Sequence, residues 1–152
     1  MSERSVADRI LIEELIAAYS FAWDGADEVG FADLWLEQAE CRFYINGSKE
    51  PATILKGKRA FRDAVLSRAA YFKKIGLVTK HFMPNTIVRW MDPDTAEVRT
   101  QAMITWQLLG TDLLPRPVQA GYYDSKVVRT PEGWKFISRE VYLNGVFTVK
   151  GV

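Results

Sequence analysis

His81 is the side chain in this sequence best suited to proton transfer, and it is the only histidine among 152 residues. It lies in the alternating segment Leu77–Met83, on the same strand phase as Leu77 and Thr79. A neutral imidazole can remove a proton from carbon or oxygen near pH 7 and return it later in the reaction. The alternative is a structural histidine whose ring is hydrogen-bonded to the backbone.

Asp24 is the candidate partner of that imidazole. It follows Trp23 in the last turn of the first predicted helix, where a carboxylate meets the negative end of the helix dipole. This location is unfavourable unless a cation lies nearby, and a protonated His81 would be such a cation. Asp24 would then hold the ring in one tautomer and one orientation. Alternatively, Asp24 and Gly25 form a helix-ending turn whose carboxylate faces solvent.

Aromatic residues are placed where they can line a pocket around such a pair. Tyr44 lies on the strand phase opposite Phe43. Tyr122 and Tyr123 necessarily face opposite sides of their strand. A tyrosine that faces a pocket can hydrogen-bond a substrate oxygen, although tyrosine is more often a core residue. Trp106 shares the inward phase of its strand and is expected to form an apolar wall. The predicted pocket is mainly apolar and aromatic, and its expected lining includes Trp23, Phe43 or Tyr44, Trp106 and Tyr123.

Composition argues against several other kinds of site. A single cysteine, Cys41, cannot form an intramolecular disulfide or a multi-cysteine metal site. Twenty Lys and Arg against nineteen Asp and Glu leave a net charge of +1, which gathers neither nucleic acid nor an anionic membrane surface. The motifs GxGxxG, GxxxxGK(S/T), HExxH and GxSxG do not occur. The predicted partner is therefore a small molecule, with no nucleic acid and no membrane.

Length and hydropathy predict one soluble domain. A chain of 152 residues with 48% hydrophobic residues can build a real core and leaves little room for a second one, so we expect a single domain over residues 1–152. Charges interrupt the N-terminal apolar stretch, and no apolar run approaches the ~20 residues that span a bilayer. We therefore expect a cytoplasmic protein.

Three helices are expected in the first half of the chain. The first should end near Asp24, and a second, short one is indicated around Phe31–Trp35. The third should begin just after Gly57 and end before Gly76. The apolar stripe of the first helix consists of Ile12, Leu15, Ile16, Tyr19 and Trp23.

The second half alternates with period two, which is typical of half-buried strands. Strands are expected at residues 41–45, 77–91 (one strand, or two if broken near Pro84), 96–108, 118–129 and 134–142. Helices followed by a run of antiparallel strands indicate the α+β class. Long strands must curl, and a strongly curved antiparallel sheet closed by about three N-terminal helices makes a cone with a pocket inside.

Five segments resemble SnoaL-like, scytalone dehydratase-like proteins of the nuclear-transport-factor-2-like (NTF2-like) superfamily. The resemblance covers nearly the whole chain in order and spacing. It is carried by residues 19–27 (YSFAWDGAD), 31–35 (FADLW), 37–44 (EQAECRFY), 79–85 (TKHFMPN) and 133–137 (GWKFI).

This resemblance implies a cone-shaped fold and an elimination reaction that uses a His–Asp dyad without a metal or an organic cofactor. The dyad falls on His81 and Asp24, and a pocket tyrosine of the dehydratase falls on Tyr44. Trp23 stands where the dehydratase has a second tyrosine, and Trp106 where it has a second histidine. The remaining correspondence, with a pocket asparagine, falls near Tyr123.

Taken together, residues and resemblance predict a cofactor-independent lyase that eliminates water from a small apolar, cyclic or aromatic substrate. His81 would remove the proton, Asp24 would orient it, and Tyr44, with Tyr123, would bind the substrate oxygen. Two alternatives stay open: an isomerase or hydrolase that uses the same dyad, and a non-catalytic ligand-binding or assembly module such as the small subunit of a ring-hydroxylating oxygenase.

A homo-oligomer, either a dimer or a trimer, is also expected. Val88, Trp90 and Met103 are assigned to the outer face of the sheet, where such side chains would be awkward in water.

Overall fold

The computed structural model describes residues 3–148. Within that range the elements follow in the order α1 (Glu3–Asp24), α2 (Glu28–Asp33), β1 (Trp35–Ile45), β2 (Thr53–Lys56), α3 (Gly57–Ile75), β3 (Leu77–Phe82), β4 (Thr86–Asp92), β5 (Thr95–Leu108), β6 (Arg116–Thr130) and β7 (Gly133–Gly145). Strand β2 does not appear in the sequence prediction. The predicted second helix is present, but it begins and ends earlier in the chain than indicated, because Trp35 already begins β1.

The helix ends have simple local causes. The side chain of Asp27 caps α2 by accepting a hydrogen bond from the Gly30 backbone N–H at 2.8 Å. Helix α3 ends at Gly76, whose φ of 66° lies in the left-handed region that glycine adopts without steric cost. Helix α1 ends at Asp24, as predicted, so that the carboxylate lies at its C-terminus.

The strands form one curled, unclosed sheet in the order β2-β1-β7-β6-β5-β3, with β4 also paired to β5. This confirms the predicted α+β class with a curved sheet. All pairings are antiparallel except that of β1 with β7, which is parallel. The first part of β5 pairs with β4 and its second part with β3. Pro84, which has no backbone N–H, lies between these two partners. Of the two alternatives for the 77–91 segment, the structure therefore shows two strands with a break near Pro84.

Helix α1 is fastened to the sheet at both ends. Near its start, the Asp8 carboxylate accepts hydrogen bonds from Arg129 Nη1 at 2.6 Å and from Trp134 Nε1 at 3.3 Å. At its end, the Asp24 carboxylate contacts β3. Between the two anchors, the apolar stripe packs into the core, with Ile12 and Tyr19 almost fully buried. This arrangement fixes where the end of α1 meets the sheet.

The outer-face assignment of Val88 and Trp90 is wrong. Both are half-buried and pack against the core, and Trp90 lies 5.9 Å from Trp134 between ring centres. Met103 is exposed, as expected. The alternation in β4 is ambiguous because its other phase carries the apolar residue Ile87, which is exposed. In the described part of the chain, no helix is both long and apolar enough to cross a membrane.

Candidate active site

His81 and Asp24 are in direct contact. Imidazole Nδ1 lies 2.6 Å from Asp24 Oδ1, and the backbone N–H of His81 donates a hydrogen bond to Asp24 Oδ2 at 2.8 Å. Both side chains are at least nine-tenths buried, with 10% of His81 and 7% of Asp24 exposed. The carboxylate therefore holds the histidine through its ring and through its backbone at once.

This geometry settles which ring nitrogen is available for chemistry. Because the Asp24 carboxylate is a hydrogen-bond acceptor, Nδ1 of His81 carries the proton in the neutral ring. Nε2 is then the basic nitrogen. A positive charge that develops on the ring is stabilised by the adjacent carboxylate, in the same way that a carboxylate supports histidine in a catalytic triad. The arrangement can therefore accept a proton and return it.

The ring of His81 lies in the wall of a cavity of about 300 Å³ between the helices and the inner face of the sheet. The cavity wall is mainly apolar and aromatic, because the inward phases of β1, β5, β6 and β7 all supply large apolar side chains. Trp23 lies against the dyad, with 6.4 Å between its ring centre and that of His81. The predicted residues that the structure brings to this cavity are His81, Trp23, Phe43, Trp106 and Tyr123.

Tyr44 is not among them, and its predicted place in the pocket is wrong. It points to the opposite face of β1 from Phe43 and stacks on Tyr142, with 4.9 Å between ring centres. Tyr142 in turn stacks on Tyr122 at 5.0 Å. The sequence left either Phe43 or Tyr44 in the pocket lining, and the family resemblance favoured Tyr44; the structure places Phe43 there instead. Tyr44 is therefore no part of this candidate site.

Arg139, which the sequence analysis missed, lies beneath the cavity. It is 1% exposed, and among the described residues none of its guanidinium nitrogens has a hydrogen-bond partner. Instead its Cζ lies 4.1 Å from the ring centre of Tyr19, 4.6 Å from that of Tyr123 and 4.7 Å from that of Phe136. Burial lowers the pKa of Arg139. The inward phase that Arg139 shares with Val141 was the sequence signal for its position.

Tyr19 and Tyr123 form the part of the cavity wall that rests on this cation. Their rings meet edge to face, with 5.9 Å between the centres. Burial raises the pKa of both hydroxyls well above the ordinary value for tyrosine. Both hydroxyls therefore stay protonated at neutral pH. A hydrogen bond joins them, in which Tyr19 donates and Tyr123 accepts, so the O–H of Tyr123 remains available as a donor.

A second arginine, Arg68 of α3, also lines the cavity and was not predicted. Its Cζ lies 4.3 Å from the centre of the Phe72 ring, and its Nη2 donates a hydrogen bond to the backbone oxygen of Phe147 at 3.3 Å. Helical arginines usually face solvent, so nothing in the sequence pattern set this one apart. No group of three or more His, Cys, Asp or Glu side chains able to hold a metal ion occurs among the described residues.

The sequence profile of the SnoaL-like domain matches residues 4–140. No curated protein sequence is significantly similar to the chain.

Solved structures with the same fold include a Novosphingobium aromaticivorans protein assigned as a scytalone dehydratase, with 20% identity, a TM-score of 0.75, and coverage of 100% of this chain and 93% of that one. LinA matches with 19% identity, a TM-score of 0.73 and coverage of 98% and 94%. The beta subunit of an N. aromaticivorans protein assigned as an aromatic-ring-hydroxylating dioxygenase matches with 15% identity, a TM-score of 0.76 and coverage of 97% and 95%. At these identities the likeness shows a shared fold and does not assign an activity.

Proposed function

The chain belongs to the SnoaL-like family of the NTF2-like superfamily, and on that premise we propose that it is a cofactor-independent lyase. Its proposed substrate is a small apolar, cyclic or aromatic molecule that binds in the cavity and loses water. The observation that carries the proposal is the 2.6 Å contact between His81 and Asp24 at the wall of that cavity. A buried imidazole that is oriented by a carboxylate and faces an apolar space is equipped for acid–base catalysis.

In the proposed reaction, Nε2 of His81 removes a proton from a carbon next to an electron-withdrawing group. The electron pair of that C–H bond forms a C=C bond, and the C–O bond to the leaving hydroxyl breaks. The leaving oxygen takes the proton back from the imidazolium and departs as water, so His81 ends neutral. Asp24 stabilises the transient imidazolium throughout.

The hydroxyl of Tyr123 is the proposed donor to the substrate oxygen that activates the C–H bond. It lines the cavity, and its raised pKa keeps it protonated. In a cavity that excludes bulk water, a hydrogen bond to a developing negative charge is stronger than the same bond in water. Tyr123 thus takes over the role that was expected of Tyr44.

The test is hydrogen exchange in D₂O, followed by NMR, with a panel of cyclic β-hydroxy ketones. We expect the protein to exchange the proton next to the carbonyl and to form the unsaturated ketone from at least one compound. His81→Gln should reduce both rates by about 10²–10⁴-fold, the usual contribution of a general base. As a control for folding, the His81→Gln protein must unfold with heat in a transition like that of the wild-type protein.

The outcomes also separate the alternatives. Formation of an isomeric ketone without loss of water would indicate an isomerase, and ester cleavage that depends on His81 would indicate a hydrolase. Ligand binding without any His81-dependent reaction would contradict the enzymatic proposal and favour a binding or assembly module.

We also propose that the chain forms a homo-oligomer. Phe21, Phe82 and Met103 are 80%, 50% and 38% exposed, respectively, and line one recess between α1 and the β3–β4 connection. Exposed apolar side chains that lie side by side often mark an interface. Light scattering at micromolar concentration should give a dimer or a trimer, and Phe21→Ser should weaken it; a monomeric wild-type protein would contradict the proposal.

A further inference from the structure

Arg68 lies at the wall of an apolar cavity, and no described residue provides its guanidinium with a counter-ion. Its guanidinium Cζ lies 4.3 Å from the ring centre of Phe72, 5.6 Å from that of Tyr71 and 6.0 Å from that of Trp106. Aromatic faces attract a guanidinium and hold it in place without using its N–H groups. The rings therefore fix the position of the cation and leave most of its hydrogen-bonding capacity unused.

Among the described residues Arg68 forms no salt bridge, and its one hydrogen bond joins Nη2 to the backbone oxygen of Phe147. The described side chains that line the cavity include no Asp or Glu. Burial lowers the pKa of Arg68 because the charge has lost water without gaining an anion. A partly buried guanidinium with free N–H donors is a ready partner for a planar anion, which it can bind through two parallel hydrogen bonds.

We propose that Arg68 is an anion subsite, so that the molecule bound in this cavity carries a carboxylate at one end of its apolar body. This inference rests on the proposed function of the same cavity and narrows its substrate class from apolar cyclic molecules to cyclic or aromatic carboxylates. The apolar rings of the cavity would enclose the body of the ligand, and Arg68 would bind its charged end.

The register of the sheet places this subsite apart from the dyad. Arg68 faces Trp106, which pairs with Thr79 across β5 and β3, whereas His81 pairs with Ile104. These two rungs are two residues apart, or roughly 7 Å along a strand. That spacing is about the length of a six-membered ring with one substituent. In this proposal, a ring held by its carboxylate at Arg68 occupies the part of the cavity between that rung and the rung of His81.

A purely structural role for Arg68, as a tether for the backbone at Phe147, makes a different prediction. A tether would affect every ligand of the cavity alike, because it would act through the shape of the wall. An anion subsite affects only ligands with a negative charge. A matched pair of ligands that differ in charge and hardly in shape separates the two roles.

The experiment is calorimetric titration of the full chain with 2-naphthoate and with 2-naphthamide. We expect the wild-type protein to bind the carboxylate at least about tenfold more tightly than the amide, equivalent to about 1.4 kcal/mol. Arg68→Gln should abolish this preference and leave the affinity for the amide unchanged. Arg68→Lys should retain part of the preference for 2-naphthoate, since lysine keeps the positive charge but lacks the planar guanidinium.

The matched control is Arg59→Gln, which removes the same charge from a 96% exposed side chain on the same helix. It should retain the full preference for 2-naphthoate. Equal binding of the two ligands by the wild-type protein, no saturable binding of either, or a preference that survives in Arg68→Gln would overturn the subsite. Equal losses of affinity for both ligands in Arg68→Gln would indicate that Arg68 acts as a structural tether instead.

The subsite and the proposed reaction can fail separately. His81→Gln should keep the preference for 2-naphthoate, because His81 takes no part in binding the anion. A preference that depends on Arg68, in a protein that exchanges no ketone proton, would retain the subsite and reject the elimination. Proton exchange that depends on His81, without any preference for 2-naphthoate, would retain the proton-transfer role of His81 and reject the anion subsite.

Discussion

Two carboxylates of this protein each lie 2.6 Å from a nitrogen atom, one on each face of the sheet. On the inner side, Asp24 contacts His81, and the side chains are 7% and 10% exposed. On the outer side, Asp124 contacts Arg99, and the side chains are 34% and 59% exposed. The distances are the same, and the surroundings are opposite.

The difference shows that burial, more than distance, decides what such a pair does. Water screens the outer pair, and an exposed pair of this kind contributes little to stability. The inner pair has lost its water, so each partner depends on the other for its hydrogen bonds. An imidazole in that position has one nitrogen committed to the carboxylate and one free to react. The outer pair contains no group that can exchange a proton at neutral pH, because arginine stays charged.

The largest expected effect comes from neutralising the two carboxylates in turn. Asp24→Asn removes the charge that stabilises an imidazolium, so the His81-dependent exchange in D₂O should fall by about 10²-fold or more. Asp124→Asn should leave the exchange rate unchanged. Equal exchange rates in the two variants would contradict the effect ascribed to burial and would remove Asp24 from the proposed mechanism.

The same two variants should differ in stability, as measured by urea unfolding. Asp24→Asn weakens a buried, charge-assisted hydrogen bond and should lower the free energy of unfolding by about 1.5–3 kcal/mol. Asp124→Asn should leave it unchanged within the error of the measurement, because the partner remains in water. A larger loss of unfolding free energy in Asp124→Asn than in Asp24→Asn would contradict the effect ascribed to burial.

Cys41, on the inner face of β1, extends the comparison to a third ionisable group. Burial raises the pKa of its thiol to about 12. An unfolded cysteine ionises near pH 8.5, so at pH 8 the native thiol should react with a thiol reagent at least about tenfold more slowly than in urea. Since the chain has one cysteine, the reaction reports this side chain alone. Rapid reaction of the native protein would contradict its burial.

The same shift has a consequence for stability. Because the thiolate is favoured in the unfolded chain, the contribution of Cys41 is fully present below pH 8.5 and is lost as the pH rises towards 12. Cys41→Ala should therefore flatten the decline of the unfolding free energy over that window. If the unfolding free energy falls with pH at the same rate in the wild type and in Cys41→Ala, the thiol does not contribute to this decline.

The smallest effect is expected at the outer tyrosines. Tyr44→Phe keeps the ring that stacks on Tyr142 and removes only a hydroxyl outside the cavity, so the exchange rate should be unchanged. The matched variant Tyr123→Phe removes a hydroxyl at the cavity wall and should slow exchange measurably. Slower exchange in Tyr44→Phe together with an unchanged exchange rate in Tyr123→Phe would reverse the roles given to the two tyrosines.

Much of the fold was predictable because its signals are local. Gly57 and Gly76 bound α3, and Pro84 breaks a long apolar segment into two strands. The short strand β2 and the parallel pairing of β1 with β7 were not predictable in this way. Each depends on partners far away in the sequence, and neither leaves a periodic signal of its own.

The candidate site also combines features with a local sequence signal and features that depend on distant parts of the chain. The residue types show which groups can do chemistry, because the chain has one imidazole, His81, and the helical pattern ends at Asp24. The position of Asp24 at a helix C-terminus suggested the pairing, the family resemblance strengthened it, and the structure shows the contact.

The surroundings of that pair depend on how the helices and the sheet pack together. It sends Tyr44 to the outer face, buries Arg139 under the cavity floor, and brings Arg68 from α3 to the cavity wall. The physical reason is that burial belongs to the assembled layers of helix and sheet and to no single segment. An arginine on a helix looks the same in sequence whether it faces water or an aromatic wall, and only the packing of α3 against the sheet distinguishes the two.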